Sequence, residues 1–281
     1  MHKEKERKIM QTRTIKRIFT DMDGALLNSK GQVSERNARR IRRAAIPITL
    51  VSARAPMEMR EAIELLGLQG PQVGFNGGLI YEVVNHQISP LHIKIIFKQT
   101  AATILQAVRQ HFPQVSLSYY DLNHWYCDTV DEGIRYEYDL THQAPTQVHD
   151  EDCFLSACDN LFKIMMISFE EEEMQDLQTY LNSLGLTSVT ILRSGRFYLE
   201  ITSKEARKSS GIDYISWKEN LKKEETAAFG DGHNDIPMLE MVGFPIVMAN
   251  AFKDVKAHAF KITKSNDEDE VGYGIHRYLI S

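Results

Sequence analysis

The chain has little cysteine: Cys127, Cys153 and Cys158 are all it carries in 281 residues. Three is an odd number with no framework spacing, which excludes a small disulfide-stapled fold and suits a reducing compartment. Long apolar runs are missing as well. Nothing approaches the ~20 consecutive apolar residues that cross a bilayer, so no membrane partner is expected and the chain reads as soluble and cytoplasmic. Positive charge is not in excess, since 33 Lys and Arg stand against 38 Asp and Glu, a net −5 with His neutral. A protein that binds nucleic-acid backbone needs the opposite balance, and no nucleic-acid partner is expected. The basic first seventeen residues lack a following apolar segment and are not a secretory signal. Residues 1–14 read as a solvated basic tail. What remains is ordinary globular composition, 43% hydrophobic and 25% charged, with length for one large or two modest domains.

From residue 15 onward short apolar runs alternate with helical stretches. Ile15, Ile18 and Phe19 make a brief strand that stops at Thr20-Asp21. Ser34 suits an N-cap for a helix through Arg43, with Ala38, Ile41 and Ala45 as its apolar stripe and Arg39–Arg43 on its wet face. Strand Ile48–Val51 ends at Ser52. A helix then starts near Pro56 and stops at Gly67, with proline first and glycine last. Val73-Gly74-Phe75 reads as a third strand before the turn Asn76-Gly77-Gly78. After residue 201 the style returns: strand Thr226–Phe229, a helix from Asp235 to Val242, strand Pro245–Met248, a helix through Lys256 and a strand near Ile262. Such alternation predicts an α/β fold, a three-layer Rossmann-like core with a parallel sheet between helices. Residues 85–201 differ. Strands in hairpin spacing and helices over Ala101–His111 and Glu170–Leu184 predict an inserted α+β cap domain, leaving 15–84 and 202–281 as the core. Glu170–Glu173 reads as the acidic first turn of its helix, and Tyr119, Tyr120, Trp125 and Tyr126 as cap core.

In open parallel sheets ligands bind beyond the carboxyl ends of the strands. Three polar clusters fall there: Asp21-Met22-Asp23-Gly24, Ser52-Ala53-Arg54 and Gly230-Asp231-Gly232-His233-Asn234-Asp235. Extended backbone would put Asp21 and Asp23 on one face. Carboxylates gathered this way need a cation, and an all-oxygen set suits a hard ion such as Mg2+ where phosphate is handled. A calcium-binding EF-hand is excluded, because its sixth and twelfth positions counted from Asp21 are Leu26 and Gln32, where Gly and Glu are needed. Asn76 and Asn250 read as turn residues, and His233 as an exposed one.

Asp21-Met22-Asp23-Gly24-Ala25-Leu26-Leu27 resembles the first motif of the haloacid-dehalogenase-like phosphatases, Asp-x-Asp-Gly-Thr-Leu-Leu. Gly230 to Leu239 resembles the fourth motif of their Cof-type branch, Gly-Asp-Gly-x-Asn-Asp-x-x-Met-Leu. Phe75-Asn76-Gly77-Gly78 and Met248-Ala249-Asn250-Ala251, followed by Val255-Lys256, are similar to further segments of that branch. The resemblance runs from about residue 15 to the end and matches the middle hundred residues only in general layout.

The resemblance implies Mg2+-dependent hydrolysis of a small phosphate monoester, a sugar phosphate or similar phosphorylated metabolite, with that metabolite as the partner of a monomer or homodimer. It implies Asp21 as the nucleophile that forms an aspartyl-phosphate, and Asp23 as general acid and then base. Asp21, Asp23 through its carbonyl, Asp231 and Asp235 would serve the metal. Ser52 would bind phosphoryl oxygens, and Arg54 and Asn234 the substrate. Lys204, Arg207 and Lys208 all lie where a cation is needed, and setting Glu200-Ile201 and Lys208-Ser209-Ser210 against the branch's Glu-Ile and Lys-Gly-Thr selects Lys208. Ala25, Ala53 and Ala249 depart from the family's Thr, Gly and Gly, and none removes a charged group. Two other readings share the residues: a phosphotransferase or phosphomutase with the same nucleophile, and a non-catalytic phosphoryl-binding protein.

Overall fold

The structure, a computed structural model, describes residues 14–148, 158 and 160–280. The basic tail, apart from residue 14, and Cys153 lie outside the described residues. The chain divides into two units, the first made of residues up to 53, 59–91 and 207 onward, the second of 54–58 and 92–206.

The first unit opens with β1 (Arg17–Thr20), α1 (Glu35–Ala44), β2 (Ile48–Leu50), α2 (Pro56–Leu66, from residue 59), β3 (Gln72–Gly74), β4 (Leu79–Val84) and β5 (Gln87–Ile93, to residue 91). Ser34 caps α1 as its sequence predicts, accepting from the Asn37 amide at 3.0 Å. Ala45, expected on the apolar stripe, is exposed and takes the left-handed conformation that ends the helix. The sequence reading opens the insertion at 85, whereas β5 continues the β3–β4 sheet and keeps the chain in the first unit through residue 91.

The second unit contains α3 (Lys98–His111), β6 (Ser116–Tyr120), β7 (Trp125–Cys127), α4 (Glu132–Thr141), β8 (Thr146–Gln147), β9 (Lys163–Ile167), α5 (Glu171–Ser183), β10 (Val189–Arg193) and β11 (Tyr198–Ser203). Its strands form one sheet in the order β10-β11-β9-β6-β7-β8, antiparallel except for β7 with β8. One face carries Leu117, Tyr119, Tyr126, Ile164, Met166, Leu199 and Ile201 under Ile104 and Val108 of α3 and Met174 and Leu177 of α5. The α+β insertion is therefore a layered domain with its own core.

The chain returns to the first unit through α6 (Lys208–Lys218), β12 (Thr226–Gly230), α7 (Ile236–Met241), β13 (Phe244–Val247), β14 (Lys261–Ile262) and α8 (Glu270–Gly274). The main sheet is parallel in the order β14-β13-β12-β1-β2. Its middle strands β1 and β12 are buried along their whole length, as a sheet covered on both faces requires. Phe19 and Ala228 pack on one side with Ile212 and Ile215 of α6 and Met238 and Leu239 of α7. On the other side Phe229 lies against Gly274, and Gly272 against Asn37 of α1. This is the three-layer α/β core read from the sequence. The helix expected through Lys256 is only a short turn, Val255–His258. The Ala249 amide bonds to the Lys264 carbonyl and the Lys256 ammonium to the Ala249 carbonyl, which hold that segment as a loop.

Two glycines fix where α6 begins. Gly77 has φ +96°, and a Cβ there would lie 2.0 Å from the Arg207 carbonyl oxygen. Gly211 sits so close to β3 that a Cβ would come within 2.6 Å of the Val73 side chain. Gly211→Ala should therefore cost about 1–3 kcal/mol by overpacking. Adding Val73→Ala should recover part of that loss in urea unfolding, whereas strictly additive losses would show that the contact is not tight.

Candidate active site

β1 ends at Thr20, and the Asp21 amide donates to the Phe229 carbonyl of β12 at 2.9 Å, which holds Asp21 at the carboxyl edge of the sheet. The chain then turns back, with the Leu26 amide reaching the Asp21 carbonyl and the Leu27 amide the Met22 carbonyl. Asp21 and Asp23 are thus not two residues of one extended strand, as the sequence reading has it: Asp21 is buried and Asp23 exposed. The turn needs Gly24, at φ +77°, where a Cβ would fall 2.2 Å from an Asp231 carboxylate oxygen. The same glycine that allows the turn leaves room for Asp231.

Lys208, the first residue of α6, sends its ammonium to Asp21 Oδ1 and Asp235 Oδ1, each at 2.7 Å. Lys208 is only 2% exposed and Asp235 wholly buried. The other oxygen of Asp235 accepts from the Asp231 and Gly232 amides, both at 2.9 Å. Asp235 therefore orients the loop that carries Asp231, with both of its oxygens engaged. Asp21, Asp231 and Asp235 each offer an oxygen within 4.8 Å of the others.

Asp21 and Asp235 share one ammonium with Asp231 close by, and proton affinities respond. Burial raises Asp21 well above the ordinary carboxylate range, and repulsion from Asp235 and Asp23 adds to this while Lys208 opposes it. Asp231 rises to about 6 by burial, then by Asp235, against the pull of Lys208 and the Asn250 hydrogen bond. Lys208 moves the other way from what burial alone would do: Asp21 and Asp235 outweigh desolvation and raise it. A surplus of buried oxygen-borne charge beside an open glycine turn is the donor chemistry a hard divalent cation takes.

Of the other expected residues, Ser52 is fully buried at the end of β2, its amide bonded to the Val73 carbonyl and its carbonyl to the Asn76 amide. Asn234 donates to Asn76 Oδ1 at 3.3 Å, joining the fourth motif to the Asn76 turn. Asn76 itself is a left-handed turn residue, as read. Arg54 is half-buried and belongs to the second unit. Lys204, the alternative to Lys208, also falls in the second unit, its amide bonded to the Ser188 carbonyl. Asn250 does more than turn the chain: its amide donates to the Gly24 carbonyl at 2.8 Å and to Asp231 Oδ2 at 3.1 Å. Asn266, unmarked in the sequence, supports it from behind, donating from its backbone to Asn250 Oδ1 and from its side chain to the Leu27 carbonyl.

Removing the ammonium should leave two buried carboxylates facing one another, so Lys208→Met is expected to lose about 3–5 kcal/mol in urea unfolding. A change below about 1 kcal/mol would contradict the clamp. The raised Asp231 carboxyl also has a signed consequence. The folded chain holds its proton more tightly than the unfolded chain does, so between about pH 4 and 6 this group makes stability fall as pH rises. With EDTA present, wild type should lose melting temperature across that window relative to Asp231→Asn, and Mg2+ should abolish the difference. Parallel curves for the two proteins would contradict it.

The chain matches a family model described as haloacid dehalogenase-like hydrolase over residues 18–275. It is 27% identical over 289 residues to the Bacillus subtilis 5-amino-6-(5-phospho-D-ribitylamino)uracil phosphatase YwtE, covering 94% of this chain and 98% of the relative. It is 29% identical over 291 residues to Phosphatase YwpJ of the same organism, covering 94% and 100%. Among solved structures, a haloacid dehalogenase-like hydrolase from Bacteroides thetaiotaomicron shares the fold with a TM-score of 0.84, at 24% identity over 94% of this chain and 99% of that one. With the carboxylate cluster at the sheet edge and the match over nearly the whole described length, the chain belongs to the haloacid dehalogenase-like hydrolases.

Proposed function

We propose that the protein is a Mg2+-dependent phosphatase that hydrolyses a small phosphate monoester through an aspartyl-phosphate on Asp21. The observation that carries this reading is the Lys208 ammonium, shared at 2.7 Å between the buried Asp21 and Asp235 beside Asp231. Relatives named as phosphatases, one of them for a phosphorylated ribityl compound, support the reaction class.

In this reading an Asp21 carboxylate oxygen attacks phosphorus, the bond from phosphorus to the ester oxygen breaks, and Asp23 gives that oxygen its proton. A water then attacks the phosphorus of the aspartyl-phosphate, Asp23 takes back a proton, and inorganic phosphate leaves with Asp21 restored. The exposure of Asp23 beside the buried Asp21 supports a role for it in exchanging protons with solvent between the two halves. Asp21 must be ionised to attack, and its raised proton affinity works against that. Lys208 opposes the rise directly, and Asp21 and Asp231 are the residues that would hold Mg2+, with Asp235 orienting Asp231. When bound, the ion supplies charge neutralisation for the carboxylates and the phosphoryl oxygens. Ser52, with Lys208, would hold those oxygens, and Arg54 and Asn234 the rest of the substrate.

Phosphate release from p-nitrophenyl phosphate should require Mg2+, stop with EDTA, and fall to background in Asp21→Asn. Asp23→Asn should lower kcat about 10²- to 10⁴-fold, the usual worth of a positioned acid and base. Release that survives Asp21→Asn would remove the nucleophile assignment. Transfer to an added alcohol in place of release to water would favour a phosphotransferase.

A further inference from the structure

Residues 266–270 read Asn-Asp-Glu-Asp-Glu, and the first three of the four acids are exposed or half-buried. Asp267 accepts from the Ser29 amide at 2.8 Å, Glu268 from the Ser265 amide and hydroxyl, and Asp269 from the Ser34 hydroxyl beside Arg36. Glu270 differs, being wholly buried. Asp269 turns the chain there at φ +61°, and the Gly272 amide, donating to Asn37 Oδ1 at 2.8 Å, holds α8 against α1. Glu270 Oε2 accepts from the Thr263 hydroxyl at 2.6 Å and from the Lys264 amide at 2.7 Å, while Oε1 has no partner among the described residues. Burial raises this carboxyl above its ordinary range, against those two bonds and the charge of Lys264. Burying a carboxyl with one oxygen unanswered is unfavourable, and no step of the proposed reaction uses Glu270.

What Glu270 holds leads to the acidic site. Thr263 and Lys264 follow β14, where the Thr263 amide donates to the Val247 carbonyl of β13 and the Lys264 carbonyl accepts from the Ala249 amide, both at 2.9 Å. Asn250 comes next in the chain and is held a second time from the same segment, the Asn266 amide donating to its Oδ1 at 3.2 Å. Asn250 Nδ2 then reaches the Gly24 carbonyl at 2.8 Å and Asp231 Oδ2 at 3.1 Å. Every link from Glu270 to Asp231 lies in the first unit. Without an acceptor at Glu270, the buried Thr263 hydroxyl and the Lys264 amide lose their partner, and the strand end that receives Ala249 loses its anchor. Groups that orient a metal-binding carboxylate from behind set how well it binds.

We propose that Glu270 is a positioning residue for Asp231: by pinning Thr263 and Lys264 it fixes Ala249 and Asn250, and through Asn250 the Asp231 carboxylate. Its consequence for Mg2+-dependent turnover rests on the phosphatase reading, whereas its consequence for Mg2+ binding does not.

The test titrates Mg2+ into the full chain by calorimetry and, separately, follows phosphate release from p-nitrophenyl phosphate against Mg2+ concentration. Glu270→Leu keeps the bulk without an acceptor and should weaken Mg2+ binding about tenfold. KM for the ester at saturating Mg2+ should stay within about twofold, because the residues placed on the ester are unchanged. Glu270→Gln keeps an oxygen for both donors and should bind Mg2+ within about threefold of wild type. Asn250→Ala should weaken Mg2+ binding at least as much as Glu270→Leu, and combining the two should add no further loss, since both act along one path. A Glu270 that serves stability alone would lower the melting temperature in Glu270→Leu and leave Mg2+ affinity unchanged, which overturns the proposal. Losses that multiply in the double variant, or Glu270→Gln as weak as Glu270→Leu, would overturn it too. If Glu270→Leu does not fold, Thr263→Val removes one of the two bonds and should weaken Mg2+ binding about threefold, an unchanged affinity being the contrary result. Wild type that releases phosphate while Glu270→Leu binds Mg2+ normally leaves the phosphatase reading standing and this proposal fallen. The expected Mg2+ pattern without phosphate release would do the reverse.

Discussion

Like charges crowded at one sheet edge are the constraint on which the catalytic half of this protein depends. Buried carboxylates repel one another and resist ionisation, so the fold must supply an opposing charge in a fixed place. Lys208 does so from the first position of α6, and much of the surrounding architecture places that ammonium. Gly77 lets the Asn76 turn lie against the Arg207 backbone, and Gly211 lets α6 approach Val73 of β3. Asp235 spends one oxygen on the ammonium and the other on two backbone amides, so the same carboxylate ties the cation to the loop of Asp231. Asn250 and Asn266 complete the arrangement by tying that loop to the turn after β1.

The second unit solves a different problem. Its sheet buries apolar side chains on one face under α3 and α5, a self-contained core, and carries ionised and aromatic groups on the other. A face that needed only to be buried would be filled more cheaply with aliphatic residues. That face instead holds Lys163 between Glu200 and the Tyr120 ring, with Trp125 stacked beyond it.

The core was legible because its signals are local. Ser34 before a polar helix, Pro56 and Gly67 around an apolar one, and four-residue apolar runs ending in acidic clusters each report a nearby backbone state. The acidic motifs were legible for the same reason, and their strand-end positions pointed to one edge of one sheet. Other features depend on partners distant in sequence. The conformation after Asp21 is set by turn hydrogen bonds and by Asp231, about two hundred residues away, so an extended reading of Asp21-Met22-Asp23 had no local signal against it. Asn266 acts only because the chain brings it back to Asn250 and Leu27. The segment through Lys256 has helical composition but is held as a loop by bonds to Lys264 and Ala249. The alternation in residues 85–201 announced an α+β unit, while the sharing of faces among Trp125, Lys163 and Glu200 follows from strand order, which spacing does not reveal.

The central claim is that Asp21, clamped by Lys208, forms a covalent phosphoryl intermediate. Quenching the enzyme in acid during turnover of a phosphate monoester, then reducing with borohydride, converts an acyl phosphate into an alcohol that peptide mass spectrometry can locate. The account predicts homoserine in place of Asp21 and nowhere else, appearing only when Mg2+ was present. Homoserine at Asp23, or sustained phosphate release with no reduced residue at any quench time, would contradict it.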